Sequence, residues 1–317
     1  MSEDEYAIII ENLVKKYDDL IAVNSISLKI RKGEIFAFLG PNGAGKTTTV
    51  EILEGIRKKT SGNALVLGHD ISKKRELEAI KKRIGTLPQE FSTYDNLSVI
   101  ENLRFWSRMY GNTIPIEELI SLVKLEDKVK DRYKNLSGGL KRRLGIAIAL
   151  VNDPELVFLD EPTTGLDPRA RRDSWAIIEG LKDQGKTIFL TTHYMEEAAV
   201  LADTVAIIHK GEIMDVGSPT QLIDKYGGDN KIIVRCNSQE IRDNIHSALF
   251  EMGPLENEDG DIVISGKKGK ISEVIDILEK KNIPYTDIIT QRPTLEDVFL
   301  SLTGEALITE VQKEVAS

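Results

Sequence analysis

Gly40-Pro41-Asn42-Gly43-Ala44-Gly45-Lys46-Thr47 fits the pattern G-x-x-x-x-G-K-[ST] at every fixed position. Glycines let the main chain turn tightly around a ligand where a Cβ would clash. The N–H groups so exposed, with the first turn of a following helix, face an anion. The context agrees. Glu34 to Leu39 is a short apolar run, read as a buried strand entering the turn, and Gly43 to Ile56 reads as the helix leaving it. In such a loop Lys46 reaches the β- and γ-phosphates of a nucleotide, and the Thr47 hydroxyl is offered to Mg²⁺.

Working outward, residues 6 to 14 read as a strand and Val23 to Ile30 alternates like a second. Ile84 to Leu87, Leu156 to Leu159 and Thr187 to Thr191 are further buried strands, and Val205 to His209 with Glu212 to Val216 reads as a hairpin turning at Lys210-Gly211. Strands alternating with helices predict an α/β domain with a largely parallel sheet. Between Gln89 and Ser137 the pattern changes: Leu97 to Tyr110 and Pro115 to Leu125 read as helices, an all-helical insertion at about 90–140.

After the helix Pro219 to Lys225, Tyr226-Gly227-Gly228 marks a boundary. Ile232 to Arg235, Asp261 to Ser265 and Tyr285 to Ile289 read as strands, Ser238 to Met252 and Lys270 to Lys281 as helices. A strand near Leu255 makes the order βαββαβ, a ferredoxin-like split βαβ of α+β type. Leu295 to Leu302 adds a last helix, and the residues after Gly304 are expected to fray. The expected domains are therefore 1–226, 227–304 and a tail, 305–317.

Leu156-Val157-Phe158-Leu159-Asp160-Glu161 supplies a second half for the phosphate site. Two carboxylates at the end of a fully apolar strand are costly unless they serve a cation. Asp160 can hold Mg²⁺ directly or through water. Glu161, turned elsewhere by strand alternation, is the candidate general base for an attacking water.

Composition narrows the rest. Of 317 residues 41% are hydrophobic and 29% charged, which supports a sizeable core and excludes a disordered chain. Lys and Arg number 42 against 51 Asp and Glu, and the net charge of −9 argues against a general nucleic-acid binder. The lone Cys236 excludes an intrachain disulfide and fits a reducing compartment. The longest apolar stretches, such as Leu144 to Val151, fall far short of the roughly 20 residues of a spanning helix. The acidic start, Ser2-Glu3-Asp4-Glu5, lacks the pattern of a signal peptide. A cytoplasmic protein is expected, for which the sequon Asn135-Leu136-Ser137 has no meaning.

Asn135-Leu136-Ser137-Gly138-Gly139-Leu140-Lys141-Arg142-Arg143 leads into a helix and resembles the LSGGQ signature of the ATP-binding cassette (ABC) ATPases, with Leu140 in place of the usual Gln. Ser137 also suits an N-cap, and Gly138 and Gly139 leave N–H groups accessible, a second anion-binding helix start in one chain. The resemblance implies a P-loop NTPase fold and a head-to-tail dimer, in which the signature of one copy covers the γ-phosphate held by the other. Other family motifs follow in order. Tyr17 matches the aromatic that stacks on adenine, Gln89 in Leu87-Pro88-Gln89 the Q-loop, Asp167 in Gly165-Leu166-Asp167 the D-loop, and His193 in Leu190-Thr191-Thr192-His193 the switch histidine. By the same resemblance Gly40 to Thr47 with Thr48, Tyr17, Ser137, Gly138, Gly139 and Asp167 contact ATP; Thr47, Gln89 and Asp160 attend Mg²⁺; and Lys46, Gln89, Glu161 and His193 serve hydrolysis. His69, His209 and His246 are read as structural.

Leu97-Ser98-Val99-Ile100-Glu101-Asn102-Leu103 and the tail Arg292-Pro293-Thr294-Leu295-Glu296-Asp297-Val298-Phe299-Leu300 are similar to the drug- and polyketide-exporter branch. The implied protein is an exporter ATPase that works with a separate transmembrane permease and is held through it at the cytoplasmic face of the membrane. Two alternatives stand beside it. Soluble ABC ATPases of translation carry two cassettes, and those of repair carry long coiled coils between the phosphate loop and the signature; this chain has one cassette and a short span from Lys46 to Ser137. Sugar-type import ATPases carry a strand-rich C-terminal domain, whereas this extension alternates strand and helix.

Overall fold

The computed structural model describes residues 3–111, 113–252, 255–258, 261–265 and 271–305. In chain order the first part comprises β1 (Tyr6–Tyr17), β2 (Leu20–Arg31), β3 (Ile35–Leu39), α1 (Lys46–Leu53), β4 (Ser61–Val66), β5 (His69–Asp70), α2 (Lys74–Lys81) and β6 (Ile84–Leu87). Next come α3 (Val99–Ser107), α4 (Ile116–Leu122), α5 (Gly138–Ala149), β7 (Leu156–Asp160), α6 (Pro168–Asp183), β8 (Thr187–Thr192), α7 (Met195–Leu201), β9 (Thr204–His209) and β10 (Glu212–Gly217). The remainder is α8 (Pro219–Tyr226), β11 (Lys231–Arg235), α9 (Gln239–Leu249), β12 (Leu255–Glu258), β13 (Asp261–Ser265), α10 (Ile271–Lys280), β14 (Asp287–Gln291) and α11 (Leu295–Thr303).

The chain divides into two compact units between Pro219 and Thr220. The central sheet of the first runs β10-β9-β3-β8-β7-β6, parallel except for the edge strand β10. Strands β3, β7 and β8 are buried along their whole length, as a sheet covered on both faces requires. Phe36, Phe38, Phe158 and Phe189 meet at its centre, with ring centroids 5.2 to 5.8 Å apart for three of the pairs. Each such ring stabilises the fold by about 1.5–3 kcal/mol through burial alone.

The sequence pattern did not reveal that β1 and β2 belong to a separate antiparallel sheet, ordered β2-β1-β4-β5. Helix α1 lies between the two sheets, against β2 and β4 on one side and β7 on the other. It is shorter than the span Gly43 to Ile56. Gly43 and Gly45 stand at φ of +81° and +103° and remain in the loop, and Gly55 at +71° ends the helix. Between 90 and 137 the regular elements among the described residues are helices, with one isolated bridge, Ser98 to Arg132. A capping box of Ser98 and Glu101 starts α3.

The second unit has the sheet order β12-β13-β11-β14 with every neighbour antiparallel, the split βαβ arrangement. Ile232, Val234, Ile262 and Ile264 pack with Ile245, Leu249, Val274 and Leu278 of α9 and α10. Helix α8 groups with this unit beyond its first residue, so the division falls before the helix rather than after Tyr226. Gly227, whose N–H bonds the Ile223 carbonyl, approaches Pro293 so closely that a Cβ would stand 2.8 Å from the proline Cβ. Apart from Glu305, the tail 305–317 lies outside the described residues. No helix among the described residues is long and apolar enough to cross a membrane.

Candidate functional site

Three neighbouring strands deliver the site at their carboxyl ends, where open α/β sheets bind ligands. Leu39 of β3 pairs with Thr192 of β8, and Asp160 of β7 with Thr191. The loop after β3, the turn after β7 and the residue after β8 therefore lie side by side. At Gly40 a Cβ would fall 2.2 Å from the Ile208 carbonyl oxygen, and at Gly45 2.3 Å from that of Ala22, so both positions exclude a side chain. Helix α1 starts at Lys46 without a side-chain cap, which leaves its first N–H groups to a ligand. Thr47 is exposed and Thr48 half-buried on its first turn.

Lys46 is 4% exposed. Its ammonium donates to the carbonyls of Gly40 (2.7 Å) and Pro41 (3.1 Å) and lies 3.3 Å from Glu161 Oε1. Burial lowers its pKa, against the pull of the Glu161 and Asp160 carboxylates.

Glu161 is not turned away by strand alternation. It lies one residue beyond β7 at φ +47°, a left-handed conformation that costs a glutamate about 1–3 kcal/mol and persists where surrounding contacts impose it. Its N–H bonds both the carbonyl (3.1 Å) and the hydroxyl (3.0 Å) of Thr191. Its Oε2 receives Thr164 Oγ1 at 3.0 Å and Gln89 Nε2 at 3.4 Å, and faces His193 Nδ1 at 3.1 Å. Burial works to raise this carboxyl, but the His193 ring, the Lys46 ammonium and the Thr164 hydroxyl outweigh it and hold the group at about 2. Asp160 behaves oppositely. Burial raises it, while hydrogen bonds from the Thr191 and Thr47 hydroxyls work against the rise. The other ring nitrogen of His193, Nε2, is buried and has no hydrogen-bond partner among the described residues.

Thus Lys46, Thr47, Gln89, Asp160, Glu161 and His193 converge. The loop residues Gly40 and Pro41 bond Lys46, while Tyr17, Ser137, Gly138, Gly139 and Asp167 make no bond to this cluster among the described residues. Tyr17 ends β1 with Lys15 Nζ 4.6 Å and the Arg57 guanidinium 5.3 Å from its ring centre. Ser137 caps α5 by accepting from the Leu140 N–H at 3.4 Å, and Asp167 caps α6 by accepting from Arg169 and Ala170. Among the described residues no hydrogen bond or ion pair joins Ser137, Gly138 or Gly139 to the Lys46 cluster. At Gly139 a Cβ would stand 2.9 Å from the Ala170 Cβ. Sequence reasoning missed Thr164, Thr191 and Arg142; their only signal was a position within or beside motifs already singled out.

An ionised, buried carboxylate held between an ammonium and an imidazole can orient a water and accept its proton once a phosphate draws the ammonium off. A divalent cation would find Asp160 and the Thr47 hydroxyl together. No cluster of three or more His, Cys, Asp or Glu occurs among the described residues.

Residues 23–164 match the family described as ABC transporter. The linearmycin resistance ATP-binding protein LnrL of Bacillus subtilis is 36% identical over 308 residues, which cover 94% of this chain and 98% of that protein. The Nod factor export ATP-binding protein I of Cupriavidus pinatubonensis is 36% identical over 299 residues, 92% of this chain and 89% of that one. Among solved structures, the dimeric post-hydrolysis state of the cassette MJ0796 bound to ADP and Pi superposes with a TM-score of 0.60 at 25% identity, covering 67% of this chain and 98% of that one. CbiO1 of Clostridium perfringens, part of an ABC transporter complex, gives 0.62 at 25% identity, over 78% and 97%. Identity at this level across nearly the full length of both chains makes this protein a member of the ABC transporter family, and its place there is that of the ATPase cassette.

Proposed function

We propose that the chain powers an exporter whose membrane-spanning subunit is a separate protein. The ATP-hydrolysing part of this rests on the Glu161 carboxylate held by Lys46 and His193, with His193 Nε2 buried and unpartnered beside it, and export rests on the resistance and Nod factor export relatives. Tyr17 stacks on adenine, and the loop Gly40 to Thr47 with Thr48 holds the phosphates. Lys46 takes the β- and γ-phosphates, and His193 Nε2 meets the γ-phosphate. Thr47, Asp160 and Gln89 attend Mg²⁺, which supplies charge neutralisation on the phosphate oxygens when bound. Glu161 positions the attacking water and takes its proton.

Two copies close head to tail on two ATP molecules, and Ser137, Gly138, Gly139 and Asp167 of each complete the site of the other. Loss of the γ-phosphate reopens the pair, and binding energy, more than hydrolysis itself, does the closing. Dimeric MJ0796 supports this arrangement. Export rather than import is supported by relatives whose names are resistance and Nod factor export proteins. A groove of about 460 Å³ beside Gln89, walled by Ile56, Phe91, Trp106 and Tyr110 with Glu54 and Glu90, supports docking of the permease at the cytoplasmic face of the membrane. The second unit, which begins at Thr220, is an accessory domain.

The test is co-expression with a candidate permease, a protein of about six spanning helices, sought among the neighbouring reading frames. Co-purification and ATP-dependent efflux are expected, both lost with Glu161→Gln. Normal ATP turnover with no membrane partner retained, and with efflux unaffected by deletion of this chain, would refute the exporter assignment.

A further inference from the structure

Arg142 lies in the second turn of α5, and its guanidinium ends among five main-chain carbonyl oxygens. Nε donates to Pro162 at 2.7 Å. Nη1 donates to Pro88 at 3.0 Å and to Gln89 at 3.1 Å. Nη2 donates to Asp160 at 2.7 Å and to Glu161 at 2.6 Å. A guanidinium has five N–H donors, so each has an acceptor of its own. Burial lowers the pKa of Arg142 to about 10, against the pull of the Asp160, Glu197 and Glu161 carboxylates, and the group stays charged at neutral pH.

The bonds join three segments distant in sequence: the helix that begins at Ser137, the turn holding Gln89, and the turn holding Asp160 and Glu161. The left-handed backbone of Glu161 is gripped on both sides, at its N–H by Thr191 and at its carbonyl by Arg142. Helix α5 is itself pressed onto the Gln89 side. At Gly145 a Cβ would stand 2.6 Å from Leu87 Cδ1 and 3.0 Å from Phe91 Cδ1. A shift of α5 therefore carries the backbone of Gln89 and Glu161 with it.

We propose that Arg142 is a positioning residue for hydrolysis, which sets the Glu161 carboxylate and the Gln89 amide according to where the Ser137 helix stands. The proposal rests on Glu161 being the water-positioning carboxylate. Arg142 acts through it without touching nucleotide, so its loss lowers turnover and spares ATP affinity. Lysine keeps the charge but offers three donors from one nitrogen on a flexible stem in place of five on a planar fork, and so cannot satisfy all five carbonyls together.

The experiment uses the full chain carrying Arg142→Lys or Arg142→Gln, each alone and combined with Glu161→Gln. Turnover, equilibrium ATP binding and the melting midpoint are measured. Each single Arg142 variant is expected to lose about 10- to 100-fold in kcat, the scale set by small misplacements in an active site. ATP affinity should stay within about twofold of the parent. On the Glu161→Gln background the same replacements should cost clearly less than on the parent, since the Glu161 carboxylate is already gone and only the Gln89 amide is left to position. An unchanged kcat in both single variants overturns the proposal, and so do losses that multiply in the double variants. Loss of ATP binding and of the melting midpoint together with turnover would make Arg142 a folding brace only, which also overturns it. Parent-rate turnover by Glu161→Gln alone would refute the role of Glu161, and the proposal would fall with it.

Discussion

Lys46 Nζ stands 3.3 Å from Glu161 Oε1, and each side chain is 4% exposed. The cation of the phosphate loop and the carboxylate of the neighbouring turn neutralise each other where neither has water. A phosphate entering the loop competes with Glu161 for that ammonium. On the proposed reading, drawing Lys46 away would remove one of the groups that lower the Glu161 pKa and make the carboxylate a stronger base.

Lys46→Ala should therefore abolish ATP binding and turnover together, since the fixed charge for the phosphates is gone. It also leaves the buried Glu161 with His193 as its remaining ring partner, and removing one member of a buried pair costs about 3–5 kcal/mol. Fluorescent-nucleotide titration and a urea melt check both effects. Parent-like turnover would exclude the phosphate-loop role.

Glu161→Gln keeps size and hydrogen-bonding reach but cannot take a proton. Turnover should fall about 10²–10⁴-fold while ATP still binds, and a closed dimer should accumulate on a sizing column with ATP and Mg²⁺. Asp160→Asn should lose Mg²⁺-dependent affinity as well as rate. A variant of Glu161 that stays monomeric with ATP while the Asp160 variant dimerises would show that the two carboxylates have exchanged roles.

Ser137→Arg should leave ATP binding by the single chain intact, because Ser137 makes no bond to the Lys46 cluster. It should abolish ATP-driven dimerisation by obstructing the γ-phosphate of the other copy. Sedimentation of the Ser137→Arg, Glu161→Gln double variant with ATP reads this directly. A dimer of parental strength would disprove the head-to-tail arrangement.

Glu54 closes α1 at 9% exposure, and burial with the nearby Asp160 and Glu51 charges raises its carboxyl from 4.5 to about 8. The folded protein holds a proton there that the unfolded chain releases above 4.5. Stability from this group is complete below that value and is lost as pH rises through 8. Glu54→Gln should match the parent near pH 5 and exceed it near pH 8.5, by a few kcal/mol at most, in urea midpoints taken at both. An equal midpoint difference at the two pH values would show that Glu54 ionises freely.

Most of the first unit was legible in the sequence because its motifs carry their own geometry. A buried strand, a glycine turn and a helix can be arranged in few ways, and Lys46, Asp160, Glu161 and His193 meet as their strand ends require. Periodicity did not reveal the second sheet, since β4 reads Ser61-Gly62-Asn63 before its apolar half, and Gly62, at φ +82°, lies against the Asn12 carbonyl. Nor did alternation explain Glu161, whose direction comes from a left-handed backbone held by Thr191 and Arg142. Arg142 itself was hidden because main-chain acceptors leave no residue type to recognise. A charged side chain bonded only to carbonyls is invisible until the turns are folded.

The close approach of Gly139 to Ala170 limits how this protein can diverge. A methyl group at 139 would stand 2.9 Å from the one already at 170, so the two positions share a single allowance of volume. An alanine at 139 requires either that 170 shrink to glycine or that one helix shift. The helix starting at Ser137 and the helix starting at Asp167 therefore accumulate changes as a linked pair. In a drifting lineage, the surface they jointly present should be altered by paired substitutions or left alone.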